Sequence, residues 1–325
     1  MSEVTRKKAE AERLFYGKLK NWYDIIKRRA VNEASPLYEV SEGEKSKLSQ
    51  VLNEGYEAVI RKTYKGNLQE RKKPELLELK RKINERFKTA YKRKTELHAD
   101  YITRSTERLV KTVYYAITTD KEGDNESGAV TGAELKKRLE KVLKSRFRNK
   151  ARMDAVTETN WSAESARNIA VFQVDEMVSK KVNKILTLLE RTKKEKTPEE
   201  QAEDEQDEEL LLLLLLARYS ERSETTEKLV ETVKDEVEKG RSVQEGVNTE
   251  KIKKKKDEYI RKRKKRWNTV GDSKVRMTHR ILNGVKKDMN DFFISGGSRL
   301  QFPGDTSMGA ALSEIVNCRC WLSYI

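Results

Sequence analysis

TGAELKKRLEKVLKSRFRNKARMDAVTETNWSAESARNIA, Thr131 to Ala170, runs for forty residues without a proline and with no glycine after Gly132. Thr131 and Glu134 stand at capping-box spacing, where hydroxyl and carboxylate satisfy each other's backbone N–H groups. Leu135, Leu139, Leu143 and Phe147 then recur as the buried stripe of a helix. Further on, Ala155, Ala163, Ala166 and Ala170 are small where a helix would pack closely against a neighbour.

The same texture continues upstream. Phe15, Leu19, Trp22 and Ile26 give one amphipathic helix, and Leu76, Leu79, Ile83, Phe87 and Tyr91 a second. Ile102, Leu109, Val113 and Ala116 mark a third, with His98 near its start as an ordinary helix-surface residue. Asp120 to Gly132 (DKEGDNESGAVTG) reads as a linker, polar and without periodicity.

Downstream, Thr197 as N-cap, Pro198 at the first helical position and a run of acids open another helix, continuing to Lys239 and stopped by Gly240. Its seven leucines, Leu210 to Leu216, make it apolar on all sides, which predicts burial between several partners or subunits. KIKKKKDEYIRKRKKR, Lys251 to Arg266, has eleven basic residues in sixteen. It reads equally as a phosphate-binding helix or as a solvated face that partners the acidic block upstream. From Trp267 glycine, asparagine and short apolar runs replace long helices, and Cys318, Cys320, Leu322 and Tyr324 alternate onto one strand face against Arg319, Trp321, Ser323 and Ile325.

The expected fold is therefore mainly α with a small α+β C-terminal module: long amphipathic helices, then short strands near the C-terminus. Composition agrees, with 38% charged and 36% hydrophobic residues among 325, 15 glycines and 4 prolines. The net charge of +16 is interrupted by one acidic block, residues 195–245, which hold 7 Lys and Arg against 17 Asp and Glu. Two cysteines one residue apart cannot staple a fold, and no apolar run reaches the roughly 20 residues that span a bilayer. These features point to a soluble chain made in a reducing compartment.

Trp267 to Gly284, then FPGD at Phe302 to Asp305, then EIVNCRC at Glu314 to Cys320, resembles the C-terminal signature of the phage Mu F-like head morphogenesis, or minor capsid, family. The residues carrying it are Trp267, Thr269, Arg276, Gly284, Pro303, Gly304, Asn317 and Arg319, with Thr157-Glu158 in the upstream helix pair. The resemblance covers about residues 128–174 and 266–325 and divides the chain into a basic helical region 1–119, a first half of the module 128–174, a helical insert 175–265 and a second half 266–325. Asn283 departs from the acid expected at that position.

The resemblance implies a structural minor head protein of a tailed phage, not an enzyme. It would lie inside the head at the portal vertex, in several copies per virion, and pass through the host cytoplasm during assembly. Its partners would be portal or capsid proteins and packaged double-stranded DNA, with no membrane. The DNA contacts expected are the basic N-terminal helices together with Lys253, Lys254, Lys255, Lys256, Arg261, Lys262, Arg263, Lys264, Lys265 and Arg266, touching phosphates without reading sequence.

Cys318, Cys320, His279 and one of Asp272 or Asp305 offer four ligands that zinc accepts. Against this stands a reading with no cofactor, in which the thiols are small buried side chains and Asp272, Arg276 and His279 form a polar cluster pinning the turns. A cytosolic non-specific nucleic-acid-binding protein and a metal-dependent hydrolase or nuclease are the alternative functions, the second disfavoured by the lack of a nucleophile beside an evident base.

Overall fold

The computed structural model describes residues 3–63, 74–119, 132–194, 206–214, 216, 224–241 and 247–325. Thr131, the linker 120–131, Thr197, Pro198 and Leu215 lie outside the described residues. The architecture is mainly α with short antiparallel strands near the C-terminus. By internal contacts the chain divides into two units, the first made of 1–69, 85–163 and 310–319, the second of 70–84, 164–309 and 320–325.

The first unit is a helical bundle. Helix α1 (Glu3–Glu33) buries Phe15, Leu19, Trp22 and Ile26, the stripe expected of it. Helix α2 (Glu42–Thr63) was not foreseen, although its signal is present: Ser41 N–H donates to Glu44 Oε2 at 2.9 Å and Glu44 N–H to Ser41 Oγ at 3.3 Å, a reciprocal cap. Its Gly55 lies against the Phe15 ring so closely that a Cβ there would sit 2.1 Å from the ring.

Helix α3 (Pro74–Thr119) is one helix of 46 residues where the sequence pattern suggested two. No glycine or proline interrupts residues 75–119, so nothing breaks its hydrogen-bond ladder. Its later stripe buries Ile102 and Val113 as expected, together with Thr106, Val110 and Ile117, while Leu109 is half-buried and Ala116 exposed.

Helix α4 (Gly132–Lys194) is 63 residues long and likewise free of glycine and proline after its first residue. It buries Leu135, Leu139, Leu143 and Phe147 as the pattern required, and Ala155, Ala163, Ala166 and Ala170 with them. Position 175 falls within it, so the insert begins as continuous helix.

In the second unit α5 (206–214) is amphipathic: Leu210, Leu212, Leu213 and Leu216 are buried, but Leu211 is 43% and Leu214 37% exposed. Within the single chain, burial of the described leucines is therefore confined to one face. Helix α6 (Glu224–Arg241) runs past Gly240, which therefore does not stop it. Helix α7 (Thr249–Lys262) is capped by the Asn248 side chain, which accepts from Lys251 N–H at 3.0 Å.

A single extended residue, Arg263, joins α7 to strand β1 (Lys264–Asn268). Strand β1 is the centre of a three-stranded antiparallel sheet, with β2 (Lys286–Asp288) on one side and β5 (Trp321–Tyr324) on the other. Between β1 and β2 lies the short helix α8 (Met277–Arg280); after β2 come the hairpin of β3 (Phe293–Ser295) and β4 (Ser298–Leu300) and, within the first unit, helix α9 (Leu312–Ile315). The β3–β4 turn uses Gly296 and Gly297, both at positive φ, as a two-residue hairpin of matching twist demands. Burial alternates along the closing segment as read from sequence, with Cys318, Cys320, Leu322 and Tyr324 inside and Arg319, Trp321, Ser323 and Ile325 half-exposed.

Candidate functional site

The pairing of β1 with β5 brings the early turns of the last sixty residues to the closing strand. Trp267, buried on β1, makes edge contacts with the rings of His279 at 5.4 Å and Phe293 at 5.2 Å. Trp267 N–H donates to Val285 carbonyl, and its own carbonyl accepts from Gly284 N–H at 2.8 Å. Gly284 sits at φ 83°, a conformation that disfavours any side chain. Asn283, where the resemblance led one to expect an acid, accepts Thr269 N–H at 3.0 Å through Oδ1, a bond a carboxylate would make equally well. The polar side chain thus closes the turn without bearing charge.

His279 Nδ1 lies 3.4 Å from Cys320 Sγ, and both residues are buried. Cys318 counts with the first unit, but only Arg319 separates it from Cys320, so the chain itself holds the two thiols near each other. Ligand atoms of His279, Cys318 and Cys320 all lie within 4.8 Å of one another, a set that could hold a metal ion. A thiolate and an imidazole at that separation suit tetrahedral coordination, and burial would shield the bonds from water.

Neither aspartate proposed as a further ligand belongs to this group. Asp305 is buried, but its carboxylate accepts from Gln301 N–H at 2.8 Å and from Ser307 N–H at 2.8 Å and Oγ at 3.0 Å, so it pins the turn that Pro303 and Gly304 open. Asp272 is exposed and closes its own turn by accepting Lys274 N–H at 3.0 Å. The correction has a common cause: a short carboxylate beside a glycine turn satisfies the local backbone first.

The upstream motif residues meet the closing segment within each unit. In the first, Thr157 Oγ1 accepts Asn317 N–H at 2.7 Å, Asn317 itself standing at φ 55°. In the second, Glu164 accepts Leu322 N–H at 3.0 Å, Arg167 donates to Leu322 carbonyl at 2.6 Å, and Tyr324 hydroxyl donates to Asn168 at 3.1 Å. Arg167 is thus engaged with the closing strand.

Glu158 instead anchors a buried network of the first unit. Its carboxylate takes His98 Nδ1 at 2.5 Å and the Tyr56 hydroxyl at 2.6 Å, while Lys94 stands over the Trp161 ring at 4.9 Å. Burial by itself would raise the Glu158 carboxyl, but the charges of His98 and Lys94 and the two hydrogen bonds hold it down at about 2. One turn earlier Asp154 accepts from Tyr23 hydroxyl at 2.5 Å and pairs with Lys150 at 3.3 Å; burial, with Glu158's charge adding, raises its carboxyl. His98 is accordingly a buried partner 4% exposed, not the surface residue expected, because α3 continues through it and turns it inward.

The basic tract is mostly neutralised within the chain. Lys253 pairs with Glu190 at 3.1 Å, Lys255 and Lys262 with Glu258 at 2.7 and 2.5 Å, Arg263 with Asp175 at 3.1 Å and Lys264 with Asp288. Lys256 donates to Asn183 and Arg266 to Ser323. Lys265 is fully buried on β1 and donates to the Gln301 carbonyl at 3.0 Å; burial lowers its amine to about 8 against the pull of Asp305 and Asp291. Placing Lys265 and Arg263 among the phosphate contacts is corrected, since strand alternation and the Asp175 pair turn them inside. Lys254 and Arg261 are exposed and enter no ion pair among the described residues.

No protein-family model, curated protein or solved structure matches the chain.

Proposed function

We propose that the protein is a structural minor head protein of a tailed phage, acting at the portal vertex in head assembly and in DNA packaging or ejection. The observation that carries this reading is the seating of the closing segment on α4. The stretches on either side of an insert of about ninety positions meet through the motif residues Thr157 and Asn317, and through their neighbours Glu164, Arg167 and Leu322. Two sequence halves that resemble one signature thus form joined surfaces, which supports treating them as one docking element with a helical insert between. The polar residues Thr157, Glu158, Glu164 and Arg167 serve backbone bonds and buried pairs, which suits a rigid part of an assembly more than a reactive centre.

In this reading His279, Cys318 and Cys320 would supply three of the four ligands of a zinc that fastens the final strand to the α8 turn. The ion would supply cross-linking to a module with short strands and a small core. Both thiols and the imidazole are too deeply buried to meet a macromolecular substrate.

The test is isolation of DNA-filled particles and of portal rings from assembling heads. The chain should co-purify with both, and particles formed without it should infect poorly. A chain found only in the cytosolic fraction, with particles unaffected by its loss, would overturn the reading in favour of a free nucleic-acid-binding protein.

A further inference from the structure

A second basic surface lies apart in sequence from the tract 251–266. Between residues 132 and 152 the first part of α4 carries nine Lys and Arg against two Glu. Lys137, Lys141, Lys144, Arg148 and Arg152 are all exposed. At about 100° per residue they fall within an arc of about 80°, and at about 1.5 Å per residue they span about 22 Å along the axis. The carboxylates near them are already engaged: Glu134 with Arg138 at 2.9 Å and Glu140 with Lys27 at 3.8 Å. Arg152 faces the half-buried Glu12. Lys141, Lys144 and Arg148, at the centre, enter no ion pair among the described residues.

Helix α1 extends the stripe sideways. Lys20 and Lys27 from α1 face Lys144 and Arg148 from α4 across a shallow cleft of about 190 Å³, in which Asp24 is the one acid. Like charges three and four residues apart weaken a helix, so the unpaired Lys141, Lys144 and Arg148 are a standing cost that a bound polyanion would relieve. The contrast with α7 is direct, since most cations there already face carboxylates of α4, α6 or α7. Phosphates suit the stripe better than a protein partner does. No large apolar side chain is exposed between 132 and 152, so the surface lacks the anchors on which protein interfaces depend.

We infer that Lys141, Lys144 and Arg148, flanked by Lys137, Arg152 and the α1 lysines Lys20 and Lys27, form the surface on which this chain holds the phosphate backbone of double-stranded DNA. The inference deepens the DNA contact in the reading above and rests on it for the identity of the nucleic acid. No base-edge reader or stacking ring is part of the stripe, so binding is indifferent to sequence and steeply dependent on salt.

The experiment compares full-length chains carrying Lys141→Gln, Lys144→Gln and Arg148→Gln together, or Lys253→Gln, Lys254→Gln and Arg261→Gln together, for binding to a random duplex across salt concentrations. Glutamine is a good helix former on an exposed face, and circular dichroism checks that both variants remain folded. The stripe variant should lose about tenfold or more in affinity at low salt, and its log–log salt slope should become shallower by about 2 to 3, at about 0.9 per phosphate released. The α7 variant should stay close to the unmodified chain. If the α7 variant loses binding and the stripe variant does not, the stripe is refuted while the DNA reading stands. If the unmodified chain fails to hold duplex even at low salt, both fall. Capture of polyglutamate through the stripe, with duplex ignored, would assign the surface to an acidic protein and refute the inference.

Discussion

Replacing Glu158 by glutamine probes the buried network of the first unit most directly. The carboxylate is enclosed, accepts from His98 and Tyr56, and faces the Lys94 ammonium, so its ionised form is favoured down to about 2 against an ordinary value of 4.5. That displacement corresponds to about 3 kcal/mol of folding stability, since each unit is worth about 1.4 kcal/mol. A carboxyl lowered in the fold contributes its full share above 4.5 and loses it as pH falls toward about 2. Glu158→Gln should therefore destabilise the first unit by about 3 kcal/mol at neutral pH, leaving Lys94 without its counter-charge. The difference from the unmodified chain should shrink below pH 4.5 and nearly vanish at pH 2. Urea melts followed by the fluorescence of Trp22 and Trp161, both buried in this unit, measure it at each pH. A difference that stays constant with pH, or one near zero at pH 7, refutes the account of the network. Should the single variant not fold, replacing Lys94 and Glu158 together by methionine and glutamine should recover part of the loss, because the buried ammonium then leaves with its counter-charge and no lone charge remains inside.

Gly55→Ala should destabilise by roughly 1 to 3 kcal/mol despite alanine's better helix propensity, because the new methyl overlaps the Phe15 ring; an unchanged melting temperature would refute that close approach. Lys265→Met should leave the second unit at least as stable at pH 7, since a buried ammonium is removed. The unmodified chain should gain stability as pH rises from about 8 toward 10.5, where the folded amine sheds its proton before the unfolded one, and the variant should not; parallel pH profiles in melts would refute this. Cys320→Ser should cut the zinc content of the purified chain, measured by atomic emission, from about one ion per chain to near zero and abolish stabilisation by added zinc, whereas an unmodified chain that takes up none rules out the metal.

Much of the architecture was legible because α1, α4 and the closing strand announce themselves by spacing alone: Phe15 to Ile26 at helical period, Leu135 to Phe147 likewise, Cys318 to Tyr324 by alternation. The ends and joins were less so. Helix α2 escaped because its apolar positions, Leu48, Leu52 and Tyr56, are diluted by polar neighbours, though Ser41 and Glu44 carried its start. The join in α3 was misplaced because a Lys- and Thr-rich stretch around Lys94 looks like a surface; its buried lysine has a ring and a carboxylate to meet it, both brought by α4. At the candidate site His279 with the two cysteines could be read from spacing and residue type. That Asp305 and Asp272 are committed to their own turns could not, since side-chain direction decides it. The tract 251–266 misled for a further reason: a row of like charges in sequence reveals nothing of the acids that another helix supplies.

The seam between α7 and β1 is one residue long, and that constrains how the chain can change. Lys265 and Trp267 face inward because β1 starts where it does. Adding or deleting one position at Arg263 would reverse both faces of the central strand, putting Trp267 toward water and Arg266 toward Phe293. Lineages of this protein should therefore tolerate exchanges among the cations of the seam far more readily than any indel there, so that spacing to the tryptophan, and not the identity of the preceding residues, is what inheritance preserves.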